Sequence, residues 1–215
     1  MTWHEIEREQ LAQALRDVTP DAPTLCEGWQ ARHLAAHVVL RERNPVVGAG
    51  IAVPALAALA ERRIAALAEQ ATTEGSYRDL VARVADRPAA WHPAAWVADT
   101  RNVIEFFVHT EDVRRGAGPV AAREVDTDLV EALWSQLKRT GGLRLRKVPV
   151  GVVLVRGDGV RHHLRSPKGD HGTVVVHGEV GELALYLFGR GAAADIAIDG
   201  ERTDVATIEK VLPSR

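Results

Sequence analysis

The chain has 215 residues, 46% of them hydrophobic and 26% charged, and its 27 Lys and Arg against 29 Asp and Glu leave a formal net charge of −2. That apolar content supplies a core and excludes a disordered chain, while the balanced charge offers no basic stripe of the kind a nucleic-acid binder presents. The single cysteine, Cys26, excludes an intramolecular disulfide and fits a reducing cytoplasm.

Residues 1–10 are charged and lack an apolar h-region, so no signal peptide is expected. Ile6, Leu11 and Leu15 fall on one side of a first helix expected over residues 5–18, which ends before Pro20. Residues 21–29 read as a connector, and a second helix is expected from about Gln30 until just before Pro45. Residues 46–60 are the most apolar stretch, but they are rich in Ala and Gly, contain Pro54 and fall short of the roughly 20 apolar residues of a membrane span. Pro54 suits the first turn of a third helix running toward Gln70. Ser76 is expected to cap the next helix, with Asp79 three residues later as in a capping box. Pro88, Trp91 and Pro93 predict a rigid aromatic loop, and residues 88–96 have the composition of a lid. A helix over residues 99–115, ended by Gly116 and Gly118, precedes one over 127–139 that stops at Gly141-Gly142. The basic residues Lys138, Arg139, Arg144, Arg146 and Lys147 straddle that glycine pair and read as a solvated junction.

Strand signals then take over. Residues 150–155 are β-branched, Gly157-Asp158-Gly159 makes a turn into 160–164, and 173–177 form a third strand. A helix over 182–189, an alternating edge strand over 195–200 and a short helix over 203–211 complete the pattern. The expected class is α+β: a helical bundle over residues 1–145, then a small α+β domain over 146–215.

Chemistry concentrates on the helix around Asn102. Glu105 and His109 are four residues apart and share one helix face. Val103, Ile104, Phe106, Phe107 and Val108 bury most of that helix, and a carboxylate there needs a partner or a cation. His37 lies three residues after Leu34 and three before Leu40, on the core-facing side of its helix, with His33 one turn earlier as the rival. A histidine of that helix, His37 or His33, with Glu105 and His109 would hold a divalent metal with an open coordination position; a buried Glu105–His109 ion pair is the competing reading. Asp112 is better placed than Glu111 to take the second N–H of His109, against a solvated or ion-paired role. His33 is a candidate proton carrier or a partly exposed helix residue. Arg41 and Arg190 are candidates for meeting an anionic cofactor or substrate, Arg190 and His33 also as catalytic helpers, although arginines so placed are more often surface residues. Cys26 reads as a small packed hydrophobe, not a nucleophile. His162, His163, His171 and His177 are not expected to form a second metal site, since His162 and His163 point to opposite faces of a regular strand. No G-x-S-x-G, P-loop or G-x-G-x-x-G occurs.

The stretch Thr24-Leu25-Cys26-Glu27-Gly28-Trp29, followed by His33-Leu34-Ala35-Ala36-His37, resembles the N-terminal signature of the mycothiol-dependent maleylpyruvate isomerase family, within the DinB-like metal-binding four-helix superfamily. That pattern runs C-x-G-W, an acidic residue, then L-x-A-H; His33 stands here in the acidic place. Glu105, His109, Asp112 and Arg115 resemble the second motif, E-x-x-x-H followed by D-x-x-R. More narrowly the chain is similar to a subgroup described only as metal-binding. The resemblance implies His37, Glu105 and His109 as ligands of a divalent metal, commonly zinc. Residues 181–190 and 195–200 resemble the family's appended domain, which looks like sterol-carrier folds. It further implies a cytoplasmic enzyme that activates mycothiol or a similar small thiol against an electrophilic substrate, for isomerisation or S-transfer. A non-catalytic metal- and small-ligand-binding module is the alternative. Bundles of this kind often pair, so a homodimer is among the expectations; nucleic acid and membrane are not.

Overall fold

Leu11 and Leu15, one turn apart in α1 (Trp3–Arg16), are fully buried, so the helical spacing of apolar residues does set the core-facing stripe. The computed structural model describes residues 2–50, 53–86 and 93–214, with the side chains of 49, 54 and 93–102 excepted. The aromatic loop at Pro88 and Trp91, and the side chain of Trp96, lie outside the described residues. Helix α2 (Ala31–Arg43) buries Leu34, Ala35, Val38 and Val39 in the same core as Leu11 and Leu15. The apolar run at 46–60 divides into α3 (Pro45–Gly50), which sequence periodicity did not predict, and the start of α4 (Pro54–Ala68). These two pack closely at Gly50, where an added Cβ would stand 2.7 Å from that of Ala60.

Two helix boundaries differ from expectation for identifiable reasons. Thr73, not Ser76, is the N-cap of α5 (Glu74–Ala85): Thr73 is extended at φ −94°, and its hydroxyl accepts the Ser76 N–H at 3.2 Å. Helix α6 (Pro93–Arg114) starts six residues before the expected 99, with proline at its first position. Among the described residues, no helix is long and apolar enough to cross a membrane.

The chain divides into two compact units, residues 1–120 and 121–215. In this division α7 (Thr127–Arg144) falls in the second unit. This helix runs through Gly141-Gly142 where the sequence predicts a stop. Packing outweighs the glycine penalty of about 1 kcal/mol, because the bare face of Gly141 receives the side chains of Leu164 and Leu187, each within 3.1 Å of where a Cβ would be.

The second unit is built on a sheet of β1 (Gly151–Arg156), β2 (Arg161–Arg165), β3 (Thr173–Gly178) and β4 (Ile196–Asp199) in the order β2-β1-β3-β4. The β1–β2 and β3–β4 pairs are antiparallel and the central β1–β3 pair is parallel. Val152, Leu154, Val174 and Val176 are fully buried, as alternate residues on one sheet face should be. Helices α8 (Val180–Leu187) and α9 (Arg202–Glu209) complete the unit. The protein is thus a mixed α+β chain, with its candidate site in the first unit.

Candidate metal centre

Three donors read from the sequence meet between α2 and α6. His37 Nε2 stands 3.8 Å from Glu105 Oε1, and His109 Nε2 stands 3.7 Å from the same oxygen. The ligand atoms of all three residues lie within 4.8 Å of one another. Two donors on one tetrahedral zinc, each about 2.1 Å from it, are separated by about 3.4 Å. The observed spacings exceed that by a few tenths of an ångström and are too long for hydrogen bonds, so small side-chain rotations would bring the set onto a cation. The two imidazole rings are nearly perpendicular, with centroids 5.4 Å apart, and Trp29 packs 5.1 Å from the His37 ring. His37 Nδ1 is buried and has no hydrogen-bond partner among the described residues. Its Nε2, 3.8 Å from Glu105 Oε1, is the nitrogen placed to take a cation.

His109 is oriented from behind. Its Nδ1 is 2.9 Å from Asp112 Oδ2, and the Cys26 thiol donates to the same oxygen at 3.1 Å. The Leu25 N–H donates to the Asp112 carbonyl at 3.0 Å. Gly116 allows the connector to lie this close to the end of α6: a Cβ there would fall 2.0 Å from the Pro23 carbonyl oxygen. A carboxylate on one imidazole nitrogen leaves the other directed at the metal position, which is the usual arrangement behind a metal-binding histidine.

Glu105 divides its two oxygens. Oε1 faces the histidines, while Oε2 is ion-paired with Arg41. Arg41 Nη2 is 3.7 Å from Glu42 Oε1, but Glu42 is already gripped by Arg8 through two bonds of 2.9 and 2.5 Å. Phe106, fully buried, lies under both guanidiniums, with centroid distances of 4.7 Å to Arg8 and 5.8 Å to Arg41, a favourable cation–π arrangement.

These contacts set the charges. Burial would raise the Glu105 pKa, but Arg41 and the two histidines override it and hold the carboxyl well below its usual range. Burial would lower that of His109, yet Asp112, Cys26 and Glu105 hold it well above 6.5, so without metal it is an imidazolium. Burial pushes His37 down against the pull of Glu105, leaving it neutral. A metal binding at this cluster would displace the His109 proton into solvent.

Other sequence candidates fall elsewhere. His33 is not in the cluster; its Nδ1 accepts the Gln30 N–H at 3.3 Å, closing the first turn of α2. Arg190 lies in the second unit and donates to the Phe188 carbonyl at 2.6 Å. Asp112 is fully buried, which overturns the solvated reading, and Cys26 is a polar donor as well as a packed side chain. Glu111 turns instead to Arg114 and Arg115, at 2.7 Å each. His171 and His177 meet Asp204 and Asp199 at 2.9 and 3.1 Å, and among the described residues no three-donor group forms there. The Arg8–Glu42 pair was missed. Its signal was that Arg8 precedes Leu11 by three residues and so shares the buried stripe of α1. A groove of 740 Å³ lined by Arg16, Pro20, Glu74 and Tyr77 contains none of the candidate ligands.

No protein-family profile matches the chain, and no curated protein does. Two solved structures share its fold. A histidine-to-alanine variant of the mycothiol-dependent maleylpyruvate isomerase superposes with a TM-score of 0.58 at 18% identity, over 92% of this chain and 90% of that one. The isomerase without that substitution gives 0.53 at 16%, with the same coverage. The fold and site together define a mixed α+β protein with a buried histidine–carboxylate cluster. In fold it is similar to the mycothiol-dependent isomerase.

Proposed function

We propose that the protein is a divalent-metal-dependent enzyme that activates a low-molecular-weight thiol of the mycothiol type for isomerisation or S-transfer, with His37, Glu105 and His109 as metal ligands. The observation that carries this reading is the convergence of those three donors, whose ligand atoms lie within 4.8 Å of one another, with both histidine Nε2 atoms turned toward Glu105 Oε1. Two imidazoles and a carboxylate suit zinc. A divalent metal in such a site supplies a Lewis acid that lowers the pKa of a thiol or water at its open position. In this reading the helices of residues 1–120 are a DinB-like bundle, and the second unit is a sterol-carrier-like domain appended to it.

The residues divide the work. Asp112 holds His109 in the orientation that presents Nε2, and Cys26 holds Asp112. Arg41 holds Glu105 through its outer oxygen, leaving one oxygen for the metal. Trp29 supports the His37 ring. A non-catalytic metal- and small-ligand-binding module is favoured by one observation: His33, a candidate proton carrier, is used as a helix cap.

Elemental analysis of the purified protein beside Glu105→Ala and His109→Ala tests the ligand set, with near one metal per chain expected in the wild type and loss in both variants. Mycothiol-dependent isomerisation of maleylpyruvate, and mycothiol transfer to electrophiles, then test turnover. Metal binding without thiol-dependent chemistry would leave the binding module; a protein that takes up no zinc would end both readings.

A further inference from the structure

The second unit carries a face whose chemistry the metal centre does not use. Between Glu131 and Asp158 the chain holds six Lys or Arg and no acidic residue. Spacing alone makes this stretch a solvated junction, but the fold adds to it. The end of α7 lies against β2: a Cβ on Gly142 would stand 3.2 Å from the Leu164 carbonyl oxygen, and Arg165 of β2 donates from Nη2 to the Arg146 carbonyl at 3.2 Å. The Lys168 N–H donates to the Pro149 carbonyl at 2.8 Å, which ties the residues after β2 to the segment after α7.

Leu143 stands among these cations. Arg139 precedes it by one turn and shares its helix face, and the Arg146 N–H turns back to the Leu143 carbonyl at 3.4 Å. Leu145 and Val148 take the inward positions and are fully buried, which leaves Arg146 and Lys147 outside. Leu143 is 70% exposed, more than any other large hydrophobic residue among those described. Arg139, Arg146, Lys147 and Lys168 are exposed and make no ion pair among the described residues. Arg144 lies over the Phe188 ring instead, 3.5 Å from its centroid.

A single exposed leucine is ordinary on a protein surface. What distinguishes this one is its setting among cations that no carboxylate pairs. Water and counterions suffice for the charges but gain nothing from the apolar tip, and a sugar–phosphate backbone would press Leu143 against charged oxygens. An anionic bilayer suits both: its head groups take the guanidinium and ammonium groups, while the leucine side chain reaches the acyl boundary.

We propose that the end of α7, with the residues that follow β2, docks the protein on an anionic phospholipid surface, Leu143 entering the interface and Arg139, Arg146, Lys147 and Lys168 meeting lipid phosphates. Every residue of this face belongs to the second unit, so the inference is independent of the metal reading. The attachment is peripheral and reversible, since it combines one small apolar tip with a short basic patch.

The test is co-sedimentation of the full-length protein with vesicles of phosphatidylcholine alone, and of phosphatidylcholine mixed with an equal part of phosphatidylglycerol. Binding is expected only to the mixed vesicles and should weaken as added salt shortens the screening length. Each cation near the surface contributes about fivefold to partitioning, so Arg146→Gln with Lys147→Gln should weaken binding on the order of 25-fold. Leu143→Ser should weaken it on the order of tenfold at unchanged charge, by removing the aliphatic tip. Arg202→Gln with Lys210→Gln makes the same change in net charge near α9, where residues 195–209 hold five Asp or Glu, and should bind as the wild type does. All of these positions are exposed, and circular dichroism checks that each variant is folded. An equal loss in the α9 pair would overturn the proposal, because overall charge would then be the cause. So would full binding by Leu143→Ser, or displacement from vesicles by duplex DNA that Leu143→Ser binds as well as the wild type does, since either marks a general polyanion site. Failure of the wild type to bind the mixed vesicles at low salt would also refute it.

Discussion

His109 Nδ1 lies 2.9 Å from Asp112 Oδ2, one turn further along α6, and this contact decides which nitrogen of His109 faces Glu105 and His37. The two residues therefore function as a unit. Asp112→Asn should keep the fold and weaken zinc by about 10–100-fold, the usual effect of removing a carboxylate behind a metal-binding histidine. His109→Ala and His37→Ala should abolish stoichiometric binding, while His33→Ala retains it. Chelator competition measures all four, and undiminished affinity in Asp112→Asn would show that the carboxylate does not orient the ring.

The same cluster predicts opposite pH responses at its two ends in the metal-free protein. The His109 pKa is raised above its ordinary 6.5. Its contribution to stability is complete below 6.5 and is lost as pH rises through the elevated folded value. The Glu105 pKa is depressed below its ordinary 4.5, so its contribution is present above 4.5 and lost as pH falls through the folded value. Zinc must displace the His109 proton, so zinc affinity should increase with pH from 6.5 up to that elevated value, with about one proton released per zinc bound near neutrality. Calorimetry in buffers of different ionisation enthalpy counts that proton. A count of zero would mean that His109 is already neutral.

Cys26 donates its thiol hydrogen to the Asp112 carboxylate. Cys26→Ser preserves a donor and should leave metal content and any thiol-dependent turnover near wild type. Cys26→Ala should reduce zinc affinity by a smaller factor than Asp112→Asn does. Complete loss of turnover in Cys26→Ser with metal retained would make the thiol itself part of the chemistry.

The Arg8–Glu42 pair is buried on both sides, with side chains 5% and 6% exposed. Removing Glu42 should destabilise the fold by about 3–5 kcal/mol, because Arg8 loses its carboxylate, and removing Arg8 should cost less, because Arg41 stands 3.7 Å from Glu42. Replacing both by methionine should cost much less than the sum of the single changes. Urea unfolding of the two single variants and the double variant checks this, and additive effects would contradict it.

The i, i+4 pair Glu105 and His109 and the inward-facing His37 were legible because helical spacing converts directly into a shared face. Asp112 was legible as a partner of His109 for the same reason. What could not be read were contacts between helices. Arg41 and Glu105 are 64 positions apart, and Arg8 and Glu42 are 34 apart, so each pairing depends on how two helices settle against one another. The continuation of α7 through Gly141-Gly142 escaped for a related reason, since Leu164 and Leu187 reach that face only in the folded unit. The cap of α5 was displaced by one turn because Thr73 and Ser76 both carry suitable hydroxyls and only backbone conformation distinguishes them.

Leu25 gives its amide hydrogen to the Asp112 carbonyl, in the loop that also delivers Cys26. This one N–H bridges a connector and the helix that carries two of the three donors. Its exchange with deuterated solvent requires the loop to lift from α6, and that movement also withdraws the Cys26 thiol from the carboxylate behind His109. The Leu25 amide is therefore an internal clock for the site. Its exchange should slow when metal clamps α6 to α2, even though Leu25 touches no ligand atom.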